Sequence, residues 1–85
     1  MKNIRHYNVI FKSDPDGGFT VVVPSLPGCV TWGKTISHAR EMARDAIDTY
    51  IVSLQKHGEA IPSDDDTMVS YIDIQHAETS RHYAS

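Results

Sequence analysis

Thiol chemistry is nearly absent from this chain. It has one cysteine, Cys29, so no disulfide can form within it. A lone thiol among strand-forming residues is expected to be a small buried hydrophobe. Long apolar runs are also missing. The longest, Val9-Ile10-Phe11 and Val21-Val22-Val23, are far too short to cross a membrane. The start, Met1 to His6, has basic residues with no apolar stretch after them, unlike a secretory leader. A reducing cytoplasm is the expected compartment. Positive charge is scarce as well: eight Lys and Arg stand against eleven Asp and Glu, a formal charge of −3. Proteins that grip nucleic acid carry a basic stripe that displaces counterions from phosphates, and none is visible here. A basic protein partner suits this balance better.

With 85 residues, the chain is expected to form one domain. A domain of this size buries roughly 60–65% of the surface exposed by its unfolded chain, so self-association would help it. Residues 4–12 alternate, with Tyr7, Val9 and Phe11 on one side, which predicts a first strand. Asp14-Pro15-Asp16-Gly17-Gly18 is a turn. Pro presets φ, Asp bonds nearby backbone, and Gly17 or Gly18 supplies positive φ. Phe19 to Val23 is a second strand and closes a hairpin. Pro24 and Pro27 offer no backbone donors, so Pro24 to Gly28 is a break. Cys29 to Trp32 is a short third strand ended by Gly33.

The helix has the strongest pattern. Ile36, Ala39, Ala43, Ala46, Ile47, Tyr50, Ile51 and Leu54 recur at helical spacing. Thr35 or Ser37 can cap its start, and Gly58 suits its end. Arg40, Glu41, Arg44, Asp45 and Asp48 form a solvated face. After a loop with the acidic run Asp64-Asp65-Asp66, Met68 to Ile74 reads as a fourth strand. The fold class is therefore α+β: a three-stranded antiparallel meander, one long crossover helix and a fourth strand, β-β-β-α-β. The domain is expected over residues 1–75, with a polar, disordered tail at 76–85. Such a crossover leaves one sheet face bare. Ile10, Val22 and Val30 fall on or near that face, more apolar content than one helix needs, so a partner or second copy is expected to cover the sheet or its edges, and a homo-oligomer, dimer or tetramer, is expected.

The run from Tyr7 to Pro62 resembles the HicB antitoxin family. The resemblance is carried by Asp14-Pro15-Asp16-Gly17-Gly18-Phe19, Val23-Pro24-Ser25-Leu26-Pro27-Gly28-Cys29, Thr31-Trp32-Gly33-Lys34-Thr35 and His57-Gly58-Glu59-Ala60-Ile61-Pro62. It implies a partial ribonuclease-H-like fold without that fold's catalysis. It also implies a HicA-like partner, a small basic ribonuclease that cuts messenger RNA and is blocked by the antitoxin. His38 stands where many relatives have a Glu that completes a capping box, which predicts a weaker helix start. Relatives often add a DNA-binding segment after this domain. The few polar residues after the fourth strand are too short for one, so direct DNA binding is not expected.

Three functions suit such a chain: an antitoxin, a stand-alone homo-oligomeric binding domain, and a metal-dependent nuclease. The last needs carboxylates converging on paired metals. Tyr7 to Phe11 contains no acid, Asp14 and Asp16 serve the turn, and Asp64 to Asp66 reads as solvated. His6, His38, His57, His76 and His82 show no ligand spacing. No enzyme activity, cofactor or metal is therefore expected. The candidate partner-binding residues are Asp14, Asp16 and Trp32, supported by the structural turn residues Gly17, Gly18, Pro24, Pro27, Gly28 and Gly33.

Overall fold

The alternating runs on either side of the Asp14–Gly18 turn pair as a hairpin. In the computed structural model, which describes residues 4–77, β1 is Ile10–Ser13, β2 is Phe19–Val22 and β3 is Val30–Gly33. They form one antiparallel sheet in the order β1-β2-β3. The helix α1 spans Ile36–Lys56, about 31 Å, and returns over β3 and β2. The α+β class and the meander-then-helix order are as the sequence implies.

Register sorts the side chains. Phe11, Val21 and Thr31 lie in one cross-strand row, and Ile10, Val22 and Val30 in the next. The first row faces α1, and Val21 is fully buried against Ala39 and Ala43. Val23, Leu26 and Cys29 form the neighbouring part of the core, flanked by Tyr7, Val9, Ile47 and Tyr50. Cys29 is buried as expected, and burial pushes its thiol pKa up.

Small residues set the spacing between helix and sheet. Gly33 is buried beneath the first turn of α1, where an added Cβ would overlap the Ala39 backbone and lie 2.9 Å from its Cβ. Thr35 is the N-cap and its Oγ1 accepts from the His38 N–H at 3.0 Å. His38 does not leave the start weak. Its Nδ1 accepts from the Lys34 N–H at 3.0 Å, so the imidazole does the reciprocal work of the expected Glu one residue earlier. Arg40, Glu41, Arg44, Asp45 and Asp48 are solvated, as is Ile36 despite its place in the apolar repeat.

The expected fourth strand is the main difference. Met68 to Ile74 pairs with no strand among the described residues, and Met68, Tyr71 and Ile72 are each more than four-fifths exposed. The molecule extends 59 × 30 × 22 Å, with a radius of gyration of 17.9 Å against about 12 Å for a compact domain of this length. The expected disordered tail at 76–85 lies, beyond Ala77, outside the described residues.

Candidate functional site

Two cross-strand rows make up the sheet face turned away from α1. Ile10, Val22 and Val30 form one; Lys12, Thr20 and Trp32 form the other. The apolar members are 37–56% exposed, so α1 leaves this face open to solvent. Exposed apolar side chains in adjacent rows make a contiguous patch rather than scattered surface residues.

The hairpin turn stands at one end of this patch. The Asp14 N–H donates to the Gly18 carbonyl at 3.0 Å, and the Gly17 N–H to the Asp14 carbonyl at 2.9 Å. One carboxylate oxygen of Asp14 accepts from the Asp16 N–H at 2.9 Å. Gly17 and Gly18 have φ of 104° and 80°, so both supply the positive φ that the turn needs. Trp32 folds against this turn. Its indole N–H donates to the Gly17 carbonyl at 3.2 Å, and its ring occupies the space that a Cβ on Gly18 would fill. Trp32 thus abuts the turn that carries Asp14 and Asp16, at one end of the open face. Trp32 stays 41% exposed while its ring is fixed, a combination that suits an interface anchor.

The other turn residues act through the backbone. Within Pro24 to Gly28, the Leu26 N–H donates to the Val23 carbonyl and the Cys29 N–H to the Leu26 carbonyl. The Val23 N–H donates to the Cys29 carbonyl across the loop mouth. The Tyr50 hydroxyl donates to the Pro27 carbonyl at 2.8 Å, which ties the loop to α1.

Asp64 is buried rather than solvated. The run Asp64-Asp65-Asp66 reads as solvated, yet Asp64 is only 4% exposed. Its carboxylate accepts from the Ser25 hydroxyl and, at 2.9 Å, from the Asn8 N–H. Its own N–H donates to the His6 carbonyl at 2.8 Å, and its carbonyl accepts from the Thr67 N–H at 2.9 Å. The carboxylate thus replaces a strand carbonyl beside residue 8 and frees the main chain to turn at residues 64–67. Nothing in an acidic run distinguishes the member that meets a serine 39 positions earlier. A neighbouring clamp is Tyr7, whose hydroxyl donates to the Pro62 carbonyl at 2.6 Å and whose pKa burial raises.

The Ser25 hydroxyl first, and the Asn8 N–H second, hold the Asp64 carboxyl below the ordinary range; burial opposes them and loses. A carboxyl with a lower pKa folded than unfolded stabilises the fold when ionised, above about pH 4, and loses that contribution as pH falls through its folded value. Asp64→Asn is therefore expected to unfold at a lower temperature than the parent at pH 7. The gap should close as the pH falls below about 4. Thermal melts from pH 7 to pH 2.5 check this; a gap independent of pH contradicts it.

Among the described residues no three His, Cys, Asp or Glu side chains gather as a metal site, and no helix is long and apolar enough to cross a membrane. Residues 7–81 match the family described as HicB_like antitoxin of bacterial toxin-antitoxin system. A UPF0150 protein of Thermoplasma acidophilum is 52% identical over 58 residues, covering 68% of this chain and 84% of that protein. A UPF0150 protein of Synechocystis is 34% identical over 64 residues, covering 75% of this chain and 81% of that one. Antitoxin HicB 1 of Photorhabdus laumondii is 34% identical over 74 residues, covering 87% of this chain but only 47% of the longer protein. On this match, which spans the sheet, the helix and the segment after it, the chain belongs to the HicB-like antitoxin family of bacterial toxin–antitoxin systems.

Proposed function

We propose that this chain is the antitoxin of a type II toxin–antitoxin pair, and that it binds and occludes a HicA-like ribonuclease toxin that cuts messenger RNA. The observation that carries the reading is the family match over residues 7–81. The open sheet face supports it. An apolar patch with a fixed, half-exposed tryptophan and two carboxylates at its corner suits a basic, RNA-gripping protein. On this reading the chain needs no chemistry, only affinity. It covers the toxin's RNA-binding surface, Asp14 and Asp16 stand in for phosphates, and Trp32 is the apolar anchor. The place of action is the cytoplasm, and no DNA contact by this chain is required.

Charge pairs at an interface rim act mainly on encounter, through a field that salt screens over about 10 Å at 0.1 M. Asp14→Asn with Asp16→Asn keeps the turn tendency and the oxygen that accepts from the Asp16 N–H, while removing both charges. The double variant is expected to melt like the parent and to associate with the toxin roughly 3- to 10-fold more slowly at low salt. Its dissociation rate should change little. Surface-binding kinetics across a salt series test this, and parental association rates with parental salt dependence refute the acidic-corner mechanism.

A further inference from the structure

A groove of about 540 Å³ runs between the N-terminal extension of β1 and α1. Its floor and wall are Tyr7, Val9, Ala43 and Ile47, with Arg40 and Arg44 on the helix rim. It exists because α1 packs mainly over β3 and β2 and reaches the β1 side only at Val9 and Phe11, leaving the outer side of β1 open. The outer edge of β1 is unpaired among the described residues.

The same chain carries a segment shaped for such a slot. Met68 to Ile74 follows the turn at residues 64–67 and alternates apolar side chains on both faces, as a strand buried on both sides does. Met68, Val69, Tyr71, Ile72 and Ile74 are 58–90% exposed. Asp64 fixes the start of this segment beside His6 and Asn8, the Thr67 N–H bond to the Asp64 carbonyl makes a turn, and after it the segment pairs with no strand among the described residues.

We propose that two copies of this chain exchange these segments: residues 68–74 of each add as a fourth strand, parallel to β1, in the groove between β1 and α1 of the other. Charge and order favour this occupant. In the parallel direction the helix offers Ile51, Asp48 and Ile47 first, then Ala43 and Arg44, then Arg40, while Arg5 and His6 line the opposite end. The segment offers Val69, then Tyr71, then Asp73, its only charge, on one face. Val69 and Tyr71 meet the side lined by Ile51, Ile47 and Ala43, and the Asp73 carboxylate arrives beside Arg44 and Arg40, away from the like charge of Asp48. Met68, Ile72 and Ile74, on the other face, extend the open apolar rows of the sheet. The contact is self-complementary, since every copy carries both strand and groove, and it closes as a two-fold dimer. Two strands and two grooves bury on the order of 2,000 Å², in the range of permanent dimers. The exchange is independent of the toxin reading.

The test uses the full chain without a toxin. Sedimentation equilibrium is expected to give twice the 9.5 kDa chain mass. An equimolar mixture of ¹³C-labelled and unlabelled chains is expected to show intermolecular NOEs from residues 69–73 to Tyr7, Val9 and Ile47. Asp73→Arg should weaken the dimer at least 10-fold, and adding Arg40→Asp and Arg44→Asp to it should restore the dimer. A 9.5 kDa monomer overturns the proposal. So does a dimer whose NOEs from the segment into the groove are all intramolecular, or one with no such NOEs. A segment that enters the groove only when toxin is added also overturns it, in favour of the toxin as occupant. The NOE experiment needs no variant, so a variant that fails to fold does not stall the test.

Discussion

Gly33→Val is expected to be among the most damaging single changes in the chain, costing about 3 kcal/mol or more. Gly33 is buried under the first helical turn, and a Cβ there would overlap backbone atoms of Ala39, which cannot rotate away as a side chain could. The whole of α1 would have to lift from β3, opening the packing of Val21 on Ala39 and Ala43. Overpacking costs typically 1–3 kcal/mol when side chains can yield, and more when backbone must move. Gly18→Val should follow. It combines φ of 80° with a clash against the Trp32 ring. Gly17→Val meets open space and carries only the cost of its φ of 104°. Urea melts should rank Gly33→Val below Gly18→Val below Gly17→Val in midpoint. A Gly33→Val midpoint within error of the parent would show that the helix does not approach β3 as described.

On the proposed reading, Trp32→Ala is expected to have the largest effect on toxin binding, roughly 100-fold in Kd or about 2–4 kcal/mol. The indole is half-exposed yet held by its N–H bond to the Gly17 carbonyl, so little conformational freedom remains to be lost on binding. Truncation removes this anchor and loosens the corner that carries Asp14 and Asp16. Trp32→Phe separates the two effects: it keeps an aromatic face while losing the N–H donor. It should recover much of the affinity, with Trp32→Ala acting mainly on the dissociation rate. Titration calorimetry with all three proteins checks this. Equal affinity for Trp32→Ala and parent would place recognition elsewhere, on α1 or on the exchanged strand.

The local elements were legible in the sequence because their signals are local. The Asp14–Gly18 turn, the Thr35 cap and the small residues of α1 each state a backbone requirement within a few positions. The open face was legible too, because period two in β1 and β2 puts Ile10 and Val22 opposite the core side. What stayed hidden depends on contacts between distant segments. Asp64 looks like its neighbours, and only the return of the loop to Asn8 and Ser25 separates it from them. His38 looks like a defective capping box until its ring nitrogen meets the Lys34 N–H. The segment from Met68 to Ile74 shows strand character in its alternation, but alternation names no neighbour. The rows of Arg40, Arg44 and Asp48 likewise read as a solvated face, while the groove beneath them is visible only once α1 is placed on the sheet.

The central claim is that this chain silences a ribonuclease by covering it. The most direct measurement mixes the purified chain, over a range of ratios, with the basic HicA-like ribonuclease of the proposed pair and a messenger RNA. The basic protein is expected to cut the RNA alone, cleavage is expected to fall to background once the chain reaches stoichiometric amounts, and the two proteins should then co-elute. Undiminished cleavage at a tenfold excess of the chain, with the two proteins eluting apart, would contradict it.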